Sequence, residues 1–286
     1  MKRRNLLTAA AAGAVAGRLT ARPKPTPTPT ALLTTTSSGS VCTEWAEEGA
    51  GAAGTAPDPA LWVAETTQSW QPANELQYYT GGNTRNTFYD GQGHLVLRAI
   101  KEPINGKSYS SGKLTTRKTD GTGRFRYGLI QARIWVPTGT GVLPAFWLLG
   151  EDNLPELAWP RCGEVDIMEA PASAATLNQL HQGTHMADTT TGADHPLGVP
   201  YTTNSSGWGG WHVYSVAWEP DTLSFYIDHK LTGTITSADA GPSAHWPFDR
   251  GPMSIILTLA VGGWAGTPDP TWTQQDMLVD FVRVYS

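Results

Sequence analysis

Leu223-Ser224-Phe225-Tyr226-Ile227-Asp228 alternates strictly, so Leu223, Phe225 and Ile227 share one face of an extended strand. Similar alternating or apolar runs extend in both directions: His94 to Ile100, Phe125 to Val136, Ala145 to Leu149, Glu164 to Glu169, His212 to Trp218, Ser254 to Val261 and Met277 to Tyr285. Turn signals separate them, among them Asp90-Gly91, Pro137 to Gly141, Glu219-Pro220-Asp221 and Gly262-Gly263. Helical periodicity is nowhere sustained. The pattern predicts one all-β domain, an antiparallel sandwich of two stacked sheets.

Composition agrees with many short strands and turns. The 286 residues include 31 Gly and 21 Pro, and only 16% are charged, below the roughly 25% of ordinary soluble domains. That excludes a coiled coil or long helical bundle. No apolar run reaches the ~20 residues of a spanning helix, so no membrane span is expected. Twelve Trp against six Phe supply bulk for a sandwich core and flat faces on which sugars or other planar ligands stack.

Charge divides the chain. Residues 1–30 hold Lys2, Arg3, Arg4, Arg18, Arg22 and Lys24 and no acid, which leaves 14 of the 20 bases against all 25 acids in the rest. An acidic body without a basic stripe argues against nucleic acid and polysulfated glycans, and favours neutral ligands. The opening Met1-Lys2-Arg3-Arg4-Asn5-Leu6-Leu7, with a weakly apolar stretch to Gly17, resembles a twin-arginine export signal. Residues 1–22 are read as that signal, which predicts a secreted protein, and residues 23–40 as a Pro/Thr/Ser linker. The folded domain is expected over residues 41–286. Cys42 and Cys162 permit one disulfide, and spacing does not decide whether they meet.

Gly163-Glu164-Val165-Asp166-Ile167-Met168-Glu169 places three carboxylates on an otherwise apolar strand. Glu164 and Asp166 share a face by period two, whereas Glu169 lies at an odd offset. One extra residue at Ile167-Met168, a β-bulge, returns Glu169 to the side of Glu164. The two glutamates then stand about four strand steps apart, roughly 13 Å along the backbone. Side chains leaning together can bring the carboxyls to the ~5–5.5 Å of a retaining glycosidase pair. Like charges so crowded repel, and at least one pKa should rise. A solvated strand edge or a cation site are the other readings. Val165, Ile167 and Met168 weigh against the first, and the six to eight oxygens calcium requires weigh against the second.

The segment from Trp159 through Glu169 resembles the signature of glycoside hydrolase family 16, in the bulged form of its laminarinase-like branch. Further similarity follows in family order: Asn74 to Thr80, Pro144 to Gly150, Trp218 to Asp221, Phe225 to Asp228, Leu259 to Gly263 and Met277 to Tyr285. The resemblance implies a β-jelly roll with a concave substrate cleft, Glu164 as nucleophile, Glu169 as general acid/base and Asp166 tuning charge between them. It implies Trp147 and Trp159 along the sugar subsites, with core packing as the alternative for each. It places His185 near Glu169, and Asn74 and Arg85 in a loop closing the cleft. It implies Trp264 as a further sugar contact, on a loop where Gly262-Gly263-Trp264-Ala265-Gly266 lacks the family's Asn and Pro. It implies a calcium ion at Glu48, Gly93 and Asp280. Thr189 to Ser206 reads as a long surface loop.

The function implied is a monomeric, secreted endo-hydrolase of β-1,3-glucan that needs no organic cofactor. Its rivals are a relative acting on mixed-linkage glucan or galactan, and a non-catalytic glucan-binding lectin. The three carboxylates count against the lectin.

Overall fold

The computed structural model describes residues 42–66, 74–151, 157–173, 178–200 and 202–286. The expected signal and linker, and Val41, lie outside these residues.

The alternation around Phe225 becomes a strand with Leu223, Phe225 and Ile227 all buried. It is one of ten strands in one sheet: β1 (Thr43–Glu47), β3 (Gln77–Tyr79), β4 (Thr87–Tyr89), β5 (Leu95–Ile104), β6 (Lys107–Ser111), β8 (Gly128–Val136), β14 (Gly210–Glu219), β15 (Thr222–Ile227), β16 (Lys230–Thr236) and β18 (Gln274–Tyr285). Their order is β16-β15-β14-β8-β18-β5-β6-β3, with β1 on β18 and β4 on β5. The second sheet holds β2 (Val63–Ala64), β7 (Lys113–Thr115), β9 (Val142–Gly150), β10 (Glu164–Glu169), β11 (Gln179–Ala187), β12 (Asp194–Gly198), β13 (Thr202–Thr203) and β17 (Met253–Val261). Its order is β12-β11-β10-β9-β17-β7-β2, with β13 on β11.

The alternating faces of both sheets meet in one core. Leu97, Ile134, Val216 and Phe225 from the first pack with Phe146, Val165, Met168 and Leu257 from the second. Each such side chain contributes about 1.5–3 kcal/mol when withdrawn from water. The tryptophans divide between core and surface. Trp62, Trp208, Trp218 and Trp272 are buried, and Trp45 and Trp246 pack against the core.

Two expectations are corrected, and the open question of the cysteines is answered. The pair β3–β6 is parallel, because β4 and β5 intervene in the chain and no hairpin fixes the opposite sense. Thr189 to Ser206 is no plain loop: β12 and β13 within it pair with β11 and extend the second sheet. Cys42 and Cys162 are not joined. Cys42 is exposed beside the C-terminal end of β18, and Cys162 is buried next to β9 and β10.

Candidate active site

The bulge in β10 assembles the site. From Glu164 to Glu169 is five steps, but the partners on β9 run from Leu149 to Ala145 and on β11 from His185 to His181, four steps each. Ile167 is the residue without a partner on β9, and it turns into the core with Val165 and Met168. Glu164, Asp166 and Glu169 therefore share the opposite face. That face lines a cavity of about 380 Å³ crossing β10, β9, β17 and β7, with Trp147, Lys113 and Thr258 on its floor.

Each glutamate has its own aromatic or histidine partner. The Trp159 indole donates to Glu164 Oε2 at 3.0 Å. His181 Nδ1 lies 3.0 Å from Glu169 Oε2. Asp166 stands between them, with an oxygen within 4.8 Å of one on either glutamate. It is 2% exposed.

Burial governs the electrostatics. Withdrawal from water pushes the Glu164 carboxyl up from 4.5 to about 7, with His185 and the Trp159 hydrogen bond opposing and Glu169 adding repulsion. Burial also raises Asp166 well above the carboxylate range, reinforced by the charges of Glu169 and Glu164. A proton held on Asp166 can be donated to Glu164, which turns a repulsive neighbour into a hydrogen-bond donor.

A stability consequence follows from the sign of the Glu164 shift. Unfolded, the group titrates near 4.5; folded, near 7. Between those values the folded chain binds more protons, so stability falls as pH rises. Glu164→Gln is expected to unfold at a higher temperature than wild type above pH 7, with the gap closing below about pH 4.5. Thermal scans at pH 5 and pH 8 showing one constant gap would contradict this.

A family model described as "Glycosyl hydrolases family 16" matches residues 74–283. The chain belongs to that family. It is 33% identical over 246 residues to a beta-glucanase of Rhodothermus marinus, covering 80% of each chain. It is 34% identical over 250 residues to glucan endo-1,3-beta-glucosidase A1 of Niallia circulans, a match spanning 80% of this chain but 33% of that longer one. Among solved structures, the catalytic domain of an endo-1,3-beta-glucanase (laminarinase) from Thermotoga petrophila RKU-1 superimposes with a TM-score of 0.73. Identity there is 30%, across 86% of this chain and 98% of that one.

The residues expected around the carboxylates of this family 16 chain divide into those at the cavity and those away from it. Asn74, Trp147 and Trp264 line the cavity, and Trp159 borders it through Glu164. The Trp264 turn is locked to the Asn74 segment: Gly263 N–H donates to the Asn74 carbonyl, and Glu75 bridges to Gly262. Gly262 has φ 81°, and a Cβ there would come within 2.8 Å of Leu76, so the position needs glycine. Arg85 does not line the cavity; its guanidinium is drawn to Glu102 at 2.7 Å.

His185 is also displaced from its expected place. The histidine at Glu169 is His181, because register sets His185 opposite Glu164 and the bulge then sets five residues of β11 against six of β10. His185 lies opposite Glu164, with Nε2 3.6 Å from Asp166 Oδ2 and Nδ1 2.8 Å from Asp194. Asp194 comes from β12, in the stretch read as loop. Other cavity residues escaped the sequence reading. Lys113 pairs with Glu65 at 2.9 Å and lies over the Trp147 ring at 5.7 Å. Glu75 and Tyr79 line the cavity from the Asn74 to Thr80 segment, whose period two could have picked out both.

The calcium expectation meets an obstacle. Arg283 donates to both Glu48 oxygens at 2.6 and 2.9 Å, and Arg133 donates to Asp280 Oδ2 at 2.9 Å. The Gly93 carbonyl packs against Gly49, where a Cβ would approach within 2.2 Å. Both carboxylates already hold arginines, so these residues do not fit calcium in this arrangement.

Proposed function

We propose that this chain is a retaining endo-hydrolase of β-1,3-glucan acting by double displacement, with the carboxylates of β10 as its catalytic groups. The observation that carries the reading is the five-against-four register of β10, which sets Glu164 and Glu169 on either side of Asp166 along one cavity wall. Glu169 protonates the leaving oxygen while Glu164 attacks the anomeric carbon and forms a glycosyl ester. Water then attacks that ester with Glu169 as base, and the configuration is retained. Trp159 fixes the Glu164 oxygen through its indole N–H, His181 orients Glu169, and a proton on Asp166 limits repulsion as charge moves. Trp147 and Trp264 offer indole faces to sugar rings, and Asn74 a polar edge. A monomer that needs no organic cofactor is part of the same proposal.

The experiment is reducing-end release from laminarin, lichenan, xyloglucan and agarose by the purified protein. Laminarin is expected to be cut fastest. A tenfold preference for agarose or xyloglucan would replace the substrate while leaving the family in place.

Export is part of the proposal and rests on the paired Arg3 and Arg4 before an apolar stretch. Replacing both by Lys is expected to leave the protein inside the producing cell. Undiminished secretion of that variant would refute the twin-arginine route.

A further inference from the structure

The segment that follows β11 is a braced hairpin that delivers a carboxylate to the catalytic side of the sheet. Asp188 caps its turn, with Oδ1 accepting from the Thr190 and Thr191 amides and from the Thr191 hydroxyl. The Asp188 backbone bonds across the turn to Gly192 and Ala193, and the Thr189 amide donates to the Ser243 carbonyl. Gly192, at φ 70°, completes the reversal. β12 therefore leaves the turn in a fixed register, with Asp194 opposite Ala187 and two residues along from the partner of His185.

From there Asp194 Oδ2 meets His185 Nδ1 at 2.8 Å. A carboxylate only accepts, so Nδ1 carries the proton and Nε2 is the nitrogen turned towards β10. Nε2 lies 3.6 Å from Asp166 Oδ2, which is buried and has no hydrogen-bond partner among the described residues. A shift of about half an ångström brings that pair within hydrogen-bond range, and catalytic contacts tighten in this way when substrate fills a site.

The charges on this face leave a need for a cation. β10 presents Glu164, Asp166 and Glu169, β11 presents His181 and His185, and β12 presents Asp194. Across the cavity stand Glu75 and Lys113, the latter already paired with Glu65, and Arg161 reaches the turn at Gly192. Burial raises the Glu164 carboxyl, and the charge of His185 is the largest influence opposing that rise. Neither His185 nor Asp194 lines the cavity, so Asp194 acts on the reaction through His185.

We propose that Asp194 is a positioning residue of the reaction: it holds the His185 ring with Nδ1 as donor and Nε2 directed at Asp166, so that an imidazolium stands beside the Glu164–Asp166 pair when the nucleophile attacks. The inference rests on the double-displacement reading of that pair.

The test is the pH profile of kcat/KM on laminarin for the full-length protein and its Asp194→Asn variant. Asparagine keeps the size of the side chain, but its amide can donate to Nδ1, which moves the ring proton to Nε2 and removes the imidazolium. The variant is expected to lose about tenfold or more in kcat, the scale of one charge-assisted hydrogen bond. KM should stay within about twofold, because the cavity wall is untouched. The acid limb should move to higher pH by about half a unit or more. Loss of the Asp194 charge by itself would move it the other way, since that charge adds to the Glu164 rise. Asp194→Glu, which keeps the carboxylate, is expected to return the limb most of the way to its wild-type position. In a His185→Gln background, Asp194→Asn is expected to cost nothing further. An acid limb that stays in place or falls in Asp194→Asn would overturn the proposal, as would a full additional loss in the His185→Gln background. Failure of the double-displacement reading looks different: the wild type would leave laminarin uncut or release an inverted product.

Discussion

Glu164→Ala is expected to abolish turnover on every glycoside, whatever its leaving group. With no carboxylate facing the anomeric carbon, no glycosyl-enzyme forms, and acid catalysis by Glu169 has no partner step to assist. Loss of a nucleophile costs on the order of 10⁴–10⁶ in kcat, so the residual rate should fall near the detection limit for laminarin and for activated aryl glycosides alike. Substrate binding should survive, because Trp147, Trp264 and Asn74 remain on the cavity wall. Initial rates on both substrates, with binding followed by indole fluorescence, check this. An aryl glycoside cut by the variant at more than about a hundredth of the wild-type rate would remove Glu164 from the nucleophile's role.

Glu169→Ala should instead separate substrates by leaving group. A sugar hydroxyl leaves poorly unless protonated, so cleavage of natural glucan should fall by about 10²–10⁴. An acidic phenol needs little protonation, so the first step on its glycoside should persist. The second step would still lack its base, and the ester on Glu164 should accumulate. Azide, which needs no base, should then restore turnover and give a β-glycosyl azide. Equal loss on both substrate types, with no rescue by azide, would contradict the assignment.

How far the sequence carried this reading depended on whether its signal was local. The alternation around Phe225 and the odd offset between Glu164 and Glu169 are properties of one strand, and both were realised, the latter as the bulge at Ile167. Partners across strands were harder to read. His185 meets Glu164 and His181 meets Glu169 because the strands are antiparallel and the bulge shortens the count on β11 by one, a consequence that appears only when two strands are set in register. Asp194 was hidden because β12 is a short edge strand containing Pro196, and its polar, turn-rich surroundings read as loop. Arg85 was drawn away by Glu102, seventeen residues distant and without any local motif.

The central claim is that Glu164 carries the sugar between the two steps. The most direct measurement is mass spectrometry of the wild-type protein inactivated by a 2-deoxy-2-fluoro β-laminaribiosyl fluoride, whose good leaving group permits the first step while the fluorine slows the second. A single glycosyl label on the peptide containing Glu164 is the predicted result, and a label on Glu169, or none with an inverted product, would contradict it.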